Sequence, residues 1–323
     1  MSLDFMNLSC GAEVYWLRSK ISGGVQTSES RFLSRVAARG GNFDTELQND
    51  ILRAVVARDD VESRPLDYGA PTPPADWSDV YVTELELLIH NPYAFYVRHI
   101  LRLRVLDDYW IGPDARTFGN LVHDTIEHMT KNDTAETLVA KMDVAAQKQL
   151  GADNVLFHFW HKRFLEIAPV IMDEFAMRPN AYAETTGGVN IAGRNIRARA
   201  DRVDDGIVID IKTGAAPTKN QLTDGTMPQL PLEAYMLKTG GFKIPTTEKS
   251  ETPTMTFLQL RNNDARPISF DAETTAQMIR AAVDKTKELI DIFTVGRAPY
   301  ENRPNSDKKY RVYDDLARAH DDV

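Results

Sequence analysis

The segment Arg199-Ala-Asp-Arg-Val-Asp-Asp-Gly-Ile-Val-Ile-Asp-Ile-Lys-Thr-Gly214 constrains the fold of this chain more than any other. Asp-Gly between β-prone runs marks a two-residue hairpin turn, because type I′ geometry needs left-handed backbone at both central positions. With Asp205-Gly206 as the loop, Asp204 faces Ile207, Val203 faces Val208 and Asp201 faces Asp210. Directly opposed residues share a face, with Cβ atoms roughly 5 Å apart. Strand alternation adds Lys212, two residues beyond Asp210, to that face. Two carboxylates and an ammonium are therefore expected at one spot.

Opposed like charges on a hairpin are unfavourable unless something compensates. One reading is a solvated hairpin with both aspartates exposed. The other is a divalent cation: Mg²⁺ is hard, takes oxygen ligands and keeps several waters. Such an ion lowers the pKa of bound water and stabilises charge on a phosphate oxygen. Lys212 would then orient the attacking water or help to deprotonate it, and offset the phosphate charge.

Around the hairpin, pattern and punctuation divide the chain. Residues 1–63 read as mostly helical, with apolar residues at helical spacing in Arg31–Ala38 and Thr45–Ala57, interrupted at Gly23-Gly24 and Gly40-Gly41. Residues 64–78 hold Pro65, Pro71, Pro73 and Pro74 and form a stiff, extended linker. From 79 to 323, helices are expected from near Thr83, through Phe95 to Leu103, and over 116–130, 134–150 and 155–177. Strands then follow at 181–186, 195–203, 207–211 and 255–260, with helices at 229–238 and 272–295. Helices first, then a small sheet flanked by helices, predict a mixed α/β core with extra N-terminal helices.

Composition narrows the function. With 38 Lys+Arg against 47 Asp+Glu the net charge is −9, which argues against binding nucleic acid by bulk charge alone but not against a local basic groove. One cysteine, Cys10, leaves no internal disulfide, cysteine-based zinc site or iron–sulfur cluster and points to a cytoplasmic location. No apolar stretch reaches the ~18–20 residues of a membrane span, and no GxxxxGK[ST] phosphate loop occurs. The opening Met-Ser-Leu reads as an expression scar on a fragment of a longer protein.

Asp201, then Asp210-Ile-Lys212-Thr-Gly214, resembles the PD-(D/E)XK nuclease motif of the RecB-like family. Gly119-Asn-Leu-Val-His123 is similar to the family's Gly-x-x-x-His helix. Gln229 stands where the family has Gln-x-x-x-Tyr. The stretch Val82–Tyr96, Ser30–Arg35 and Tyr313–Arg318 extend the likeness to the AddB-type subunit of bacterial helicase–nucleases, as its C-terminal part. The resemblance implies a restriction-endonuclease-like fold. It also implies Mg²⁺, replaceable by Mn²⁺, held by His123, Asp201, Asp210 and the carbonyl of Ile211, with Lys212 at the nucleophile and Gln229 bonded to the site or to DNA. It further implies hydrolysis of DNA, as single-stranded ends, beside an AddA-type helicase–nuclease subunit in double-strand-break repair. Two departures stand out. Asn91 replaces the cysteine that precedes the proline in cluster-bearing relatives, which places the chain with the cluster-free branch, and Glu233 replaces the family's Tyr.

Other charged residues have weaker claims. Arg199, Arg202 and Lys219 are candidate DNA contacts within a basic run that includes Arg194 and Arg197, and Arg199 would sit opposite Lys212. Glu184 borders the site or lies on the surface. Glu127 is an imidazole acceptor or solvated, with the latter favoured. His158 and His161 read as helix packing rather than zinc ligands. A non-catalytic scaffold and a stand-alone phage-type recombination exonuclease are the rival functions. The intact acidic, Lys and His set opposes the first, and the helical first 60 residues oppose the second.

Overall fold

Two short strands, β1 (Ile21–Ser22) and β2 (Val25–Gln26), pair antiparallel where the sequence pattern predicted only an interruption between helices. Helix α1 (Arg31–Ala38) follows, its first turn capped by the Ser30 hydroxyl, which accepts from Phe32 N–H at 3.3 Å. The computed structural model describes residues 9–10, 16, 19, 21–22, 25–41, 50, 52–54, 70–72, 77, 79–105, 112–130, 132–151, 154–176, 182–204, 206–244, 250–261, 264–303 and 307–317. Gly23-Gly24, most of the expected helix over Thr45–Ala57, most of the proline-rich segment and the turn residue Asp205 lie outside the described residues. The chain divides into two compact units, Met1–Asp67 and Tyr68–Val323.

The second unit begins with β3 (Val80–Tyr81) and α2 (Val82–His90). Asn91-Pro92 then stops one helix and starts the next, α3 (Pro92–Phe95), as Asn91 Oδ1 accepts from Ala94 N–H at 3.2 Å. Helices α4 (Ala115–Glu127), α5 (Ala135–Leu150) and α6 (Val155–Ala176) precede β4 (Tyr182–Ile191), β5 (Arg194–Asp204) and β6 (Ile207–Lys212). The chain continues through α7 (Lys219–Thr223), α8 (Gln229–Thr239), β7 (Thr254–Arg261), β8 (Asp264–Phe270) and α9 (Ala272–Ile290).

The sheet of the second unit is mixed and six-stranded, in the order β3-β5-β6-β7-β8, with β4 also on β5. Strands β6 and β7 run parallel, as do β3 and β5; the remaining neighbours are antiparallel. The expected hairpin register holds: Asp204 pairs with Ile207, Val203 with Val208 and Arg202 with Ile209. Strand β4 runs on past the predicted end at Thr186, through Gly187-Gly188. Those glycines admit the loop after α8. A Cβ on Gly187 would come within 2.6 Å of the Phe242 ring, and Gly188 N–H donates to the Gly241 carbonyl at 3.0 Å.

Alternation along the strands fills two cores. Val208, Met255 and Phe257 pack with α2, α8 and α9, while Ile207, Ile209, Ile211, Leu258 and Leu260 pack with α4, α5 and α6. The C-terminal segment then closes over α2 and α3. Asn91 Nδ2 donates to Asn302 Oδ1 at 2.8 Å and to the Tyr310 carbonyl at 3.0 Å, and Tyr310 OH donates to the buried Glu86 at 2.7 Å. No helix among the described residues is long and apolar enough to cross a membrane.

Candidate active site

A cavity of about 300 Å³ opens where the N-terminal half of α4 meets the end of β6. His123, Asp201, Asp210, Ile211, Lys212 and Gln229 all line it. Gly119 lets the helix come this close: a Cβ there would lie 2.9 Å from Thr213 Oγ1.

The two aspartates reach the cavity differently. The β5–β6 ladder ends at the Arg202–Ile209 pair, and Asp201 takes over with its side chain, Oδ2 accepting from Ile211 N–H at 2.7 Å. The direct strand pairing of Asp201 with Asp210 expected from the turn is thus replaced by a carboxylate standing in for a backbone acceptor. Asp201 Oδ1 is 3.6 Å from His123 Nδ1. Asp210 is buried, and its Oδ1 accepts from Lys212 Nζ and from Gln229 Nε2, both at 3.0 Å. Its Oδ2 lies 2.9 Å from Lys212 Nζ but outside hydrogen-bonding geometry.

Across β4 the register places Glu184 opposite Asp201, and the ladder skips this pair. Glu184 has left-handed backbone (φ 48°), a strained conformation of the kind stored at functional sites. Ligand atoms of His123, Glu184 and Asp201 lie within 4.8 Å of one another.

The electrostatics follow from this crowding. Burial, and next the Asp210 charge, push the Asp201 carboxyl up to about 8. Burial alone would lower the Lys212 pKa, but the charge and hydrogen bond of Asp210 with the nearby Asp201 outweigh it, so the ammonium is held above its ordinary value. Burial lowers the His123 pKa against the pull of Asp210 and a hydrogen bond to the Ile211 backbone, leaving a neutral imidazole able to ligate.

A divalent cation fits this donor set. Carboxylate oxygens and a backbone carbonyl suit a hard cation such as Mg²⁺ or Mn²⁺, and a neutral imidazole adds a nitrogen donor of the kind transition-metal ions take. Asp210 Oδ2 is buried without a hydrogen bond among the described residues, and Asp201 is ionised only at a cost that a cation would remove.

Arg199, Arg202 and Lys219, the expected DNA contacts, are not among the residues that line the cavity. Arg202 is buried with its guanidinium 3.9 Å over the Phe175 ring, and it is not part of the cavity lining. Arg199 pairs with Glu184 and lies 3.8 Å from Glu127, so that glutamate serves an arginine rather than the imidazole. Arg197 pairs with Asp79, and Arg194 donates to the Trp77 carbonyl at 3.2 Å. Lys219 is exposed at the start of α7, away from the cavity lining. The lining cation that sequence reasoning missed is Arg116, exposed on α4 one turn before Asn120. Its spacing to His123, seven residues on the same helix face, was the available signal. His161 pairs with Asp143 across α5 and α6 at 2.8 Å, in keeping with a packing role.

The family model of the PD-(D/E)XK nuclease superfamily matches residues 81–309, spanning α2 to the C-terminal segment and every residue of the site. The chain belongs to this superfamily. Nucleases of this superfamily generally use divalent metals. An uncharacterized protein of Rickettsia bellii is 32% identical over 186 residues, covering 50% of this chain and 22% of that protein. The Rickettsia typhi protein RT0391, also uncharacterized, is 32% identical over 194 residues, covering 53% and 22%. The chain thus spans about a fifth of the length of these curated relatives. Among solved structures, a "Putative exonuclease" from Eubacterium rectale aligns over 77% of this chain and 93% of its own, at 11% identity and a TM-score of 0.47.

Proposed function

We propose that this PD-(D/E)XK domain is a divalent-metal-dependent deoxyribonuclease that cleaves single-stranded DNA ends. The observation that carries the reading is the meeting of His123, Asp201, Asp210, the Ile211 backbone and Lys212 at one cavity. His123, Asp201, Asp210 and the Ile211 carbonyl are the residues that would hold the ion. A bound divalent cation supplies Lewis-acid stabilisation of phosphate charge and a water of lowered pKa.

The remaining chemistry belongs to the chain. Lys212, protonated and fixed by Asp210, offsets phosphate charge and orients a water; its raised pKa favours this role over proton removal. Gln229 donates to the same Asp210 oxygen as Lys212, so two donors hold the carboxylate in place. Glu184 keeps Arg199 beside the site, ready to meet a phosphate if the pair opens.

The sequence resemblance to AddB-type subunits supports a partner of AddA type and a role in trimming broken ends in the cytoplasm. A motor that feeds strands to the cavity would also suit a chain whose β5 arginines are occupied in ion pairs and packing. An end-labelled single strand incubated with Mg²⁺ is the test. Wild type should cleave, while Asp210→Ala and Lys212→Ala should each lose at least about a hundredfold with melting intact. Undiminished cleavage by either variant would refute the assignment.

A further inference from the structure

Glu233 sits one turn after Gln229 on α8, beneath the cavity, and is fully buried at 0% exposure. Its Oε1 accepts from Gln229 Nε2 at 3.3 Å, and the same nitrogen donates to Asp210 Oδ1 at 3.0 Å. An amide nitrogen has two N–H bonds, and here both are committed, one to each carboxyl group. This matters because a glutamine side chain can turn its oxygen and nitrogen through half a turn. With an acceptor on only one side, nothing but Asp210 would select the amine end; with Glu233 on the other side, both contacts select it.

We propose that Glu233 is a positioning residue: its carboxyl group locks the amide of Gln229 and, through it, the carboxylate of Asp210. Glu233 is absent from the lining of the cavity, so it acts through Gln229 rather than on a substrate. Its second oxygen, Oε2, is buried without a hydrogen-bond partner among the described residues. Burial, followed by the charges of Asp210 and Asp201, raises the Glu233 carboxyl well above the usual carboxylate range, which favours the neutral acid. A neutral carboxylic acid is close in shape and hydrogen-bonding pattern to a carboxamide. Glutamine is thus the conservative replacement, and leucine deletes the acceptor at similar volume.

The effect on cleavage rests on the nuclease reading above; the effect on Gln229 does not. The 323-residue chain would be prepared as wild type, Glu233→Gln, Glu233→Leu, Gln229→Ala and the Gln229→Ala/Glu233→Leu double variant. In the metal-free chain, NMR would follow exchange of the Gln229 side-chain amide protons. Slow exchange in wild type and Glu233→Gln, and exchange at least about tenfold faster in Glu233→Leu, is the expected result. Equal protection in all three overturns the proposal.

Mn²⁺ calorimetry and single-turnover cleavage then read the consequence. Glu233→Gln should stay within about twofold of wild type, Glu233→Leu should fall about tenfold, and the double variant should be no worse than Gln229→Ala alone. Losses that multiply in the double variant would mean Glu233 acts independently of Gln229 and would overturn the proposal. If Glu233→Leu does not fold, loss of amide protection in Glu233→Gln overturns it and retention supports it. A wild type that fails to cleave would sink the nuclease reading, while the amide exchange would still decide the role of Glu233.

Discussion

Asp201→Asn should stabilise the metal-free protein at neutral pH while removing its ability to hold a cation. The folded chain holds the Asp201 proton up to about pH 8, against an ordinary value of 3.8. As pH rises, the unfolded chain therefore gives up this proton first. Stability tied to the group is complete below about pH 4 and is lost progressively towards pH 8. Each pH unit in that window is worth about 1.4 kcal/mol, so at pH 7 the cost approaches roughly 4 kcal/mol as an upper bound. Asparagine carries no such cost, and its Oδ1 can still accept from Ile211 N–H as Asp201 Oδ2 does. Even half of that figure would raise the melting temperature by about 4–8 °C in a domain of this size. Calorimetric melting in chelator at pH 5 and pH 8 tests the idea. Wild type should lose stability relative to Asp201→Asn between the two, and Mn²⁺ at pH 8 should restore wild type alone. A pH-independent gap between the two proteins, or an asparagine variant less stable at pH 8, would refute the reasoning.

Two further outcomes follow from named contacts. Asn91→Leu removes two hydrogen bonds to the C-terminal segment and the cap on α3, and should cost about 2–4 kcal/mol in urea unfolding of the chain; a loss below about 0.5 kcal/mol would show that the segment is held by packing alone. Arg116→Ala should weaken binding of a catalytically inert Asp210→Ala chain to single-stranded DNA and lower the slope of affinity against salt by about 0.7. Arg202→Ala should leave that slope unchanged, and the reverse pattern would return the DNA contact to β5.

The hairpin was legible because its turn chemistry and its strand pattern agree, and a two-residue turn leaves no freedom in register. The Gly119–His123 spacing was legible for a similar reason: one helical turn fixes which residues face together. The missed elements are those whose local signals conflict. Strand β8 carries Pro267, tolerable at the edge of the sheet but a sign against a strand when read alone. The second half of β4 carries two glycines, needed by a loop that arrives from α8, some fifty residues later. The arginines of β5 show the same limit. Composition marked a basic run, but Asp79, Glu184 and Phe175, brought in by other elements, decide what each arginine does.

The acidic balance of the chain acquires a local meaning at the cavity. Asp201, Asp210 and Glu233 all bear on the ammonium of Lys212, while burial holds His123 towards its neutral form. Without a cation the site relieves this excess by keeping protons on Asp201 and Glu233, and the two are not equivalent. Glu233 is sealed beneath Gln229 and can stay neutral in every state, whereas Asp201 lines the cavity beside His123 and Glu184. A divalent ion arriving there would displace the Asp201 proton and leave that of Glu233 in place. Cation binding near pH 7 should therefore release about one proton per chain from Asp201, a quantity that calorimetry in buffers of different ionisation enthalpy reads directly. Release close to zero would mean that the ion avoids Asp201, and release near two would mean that Glu233 joins the site rather than supporting it from behind.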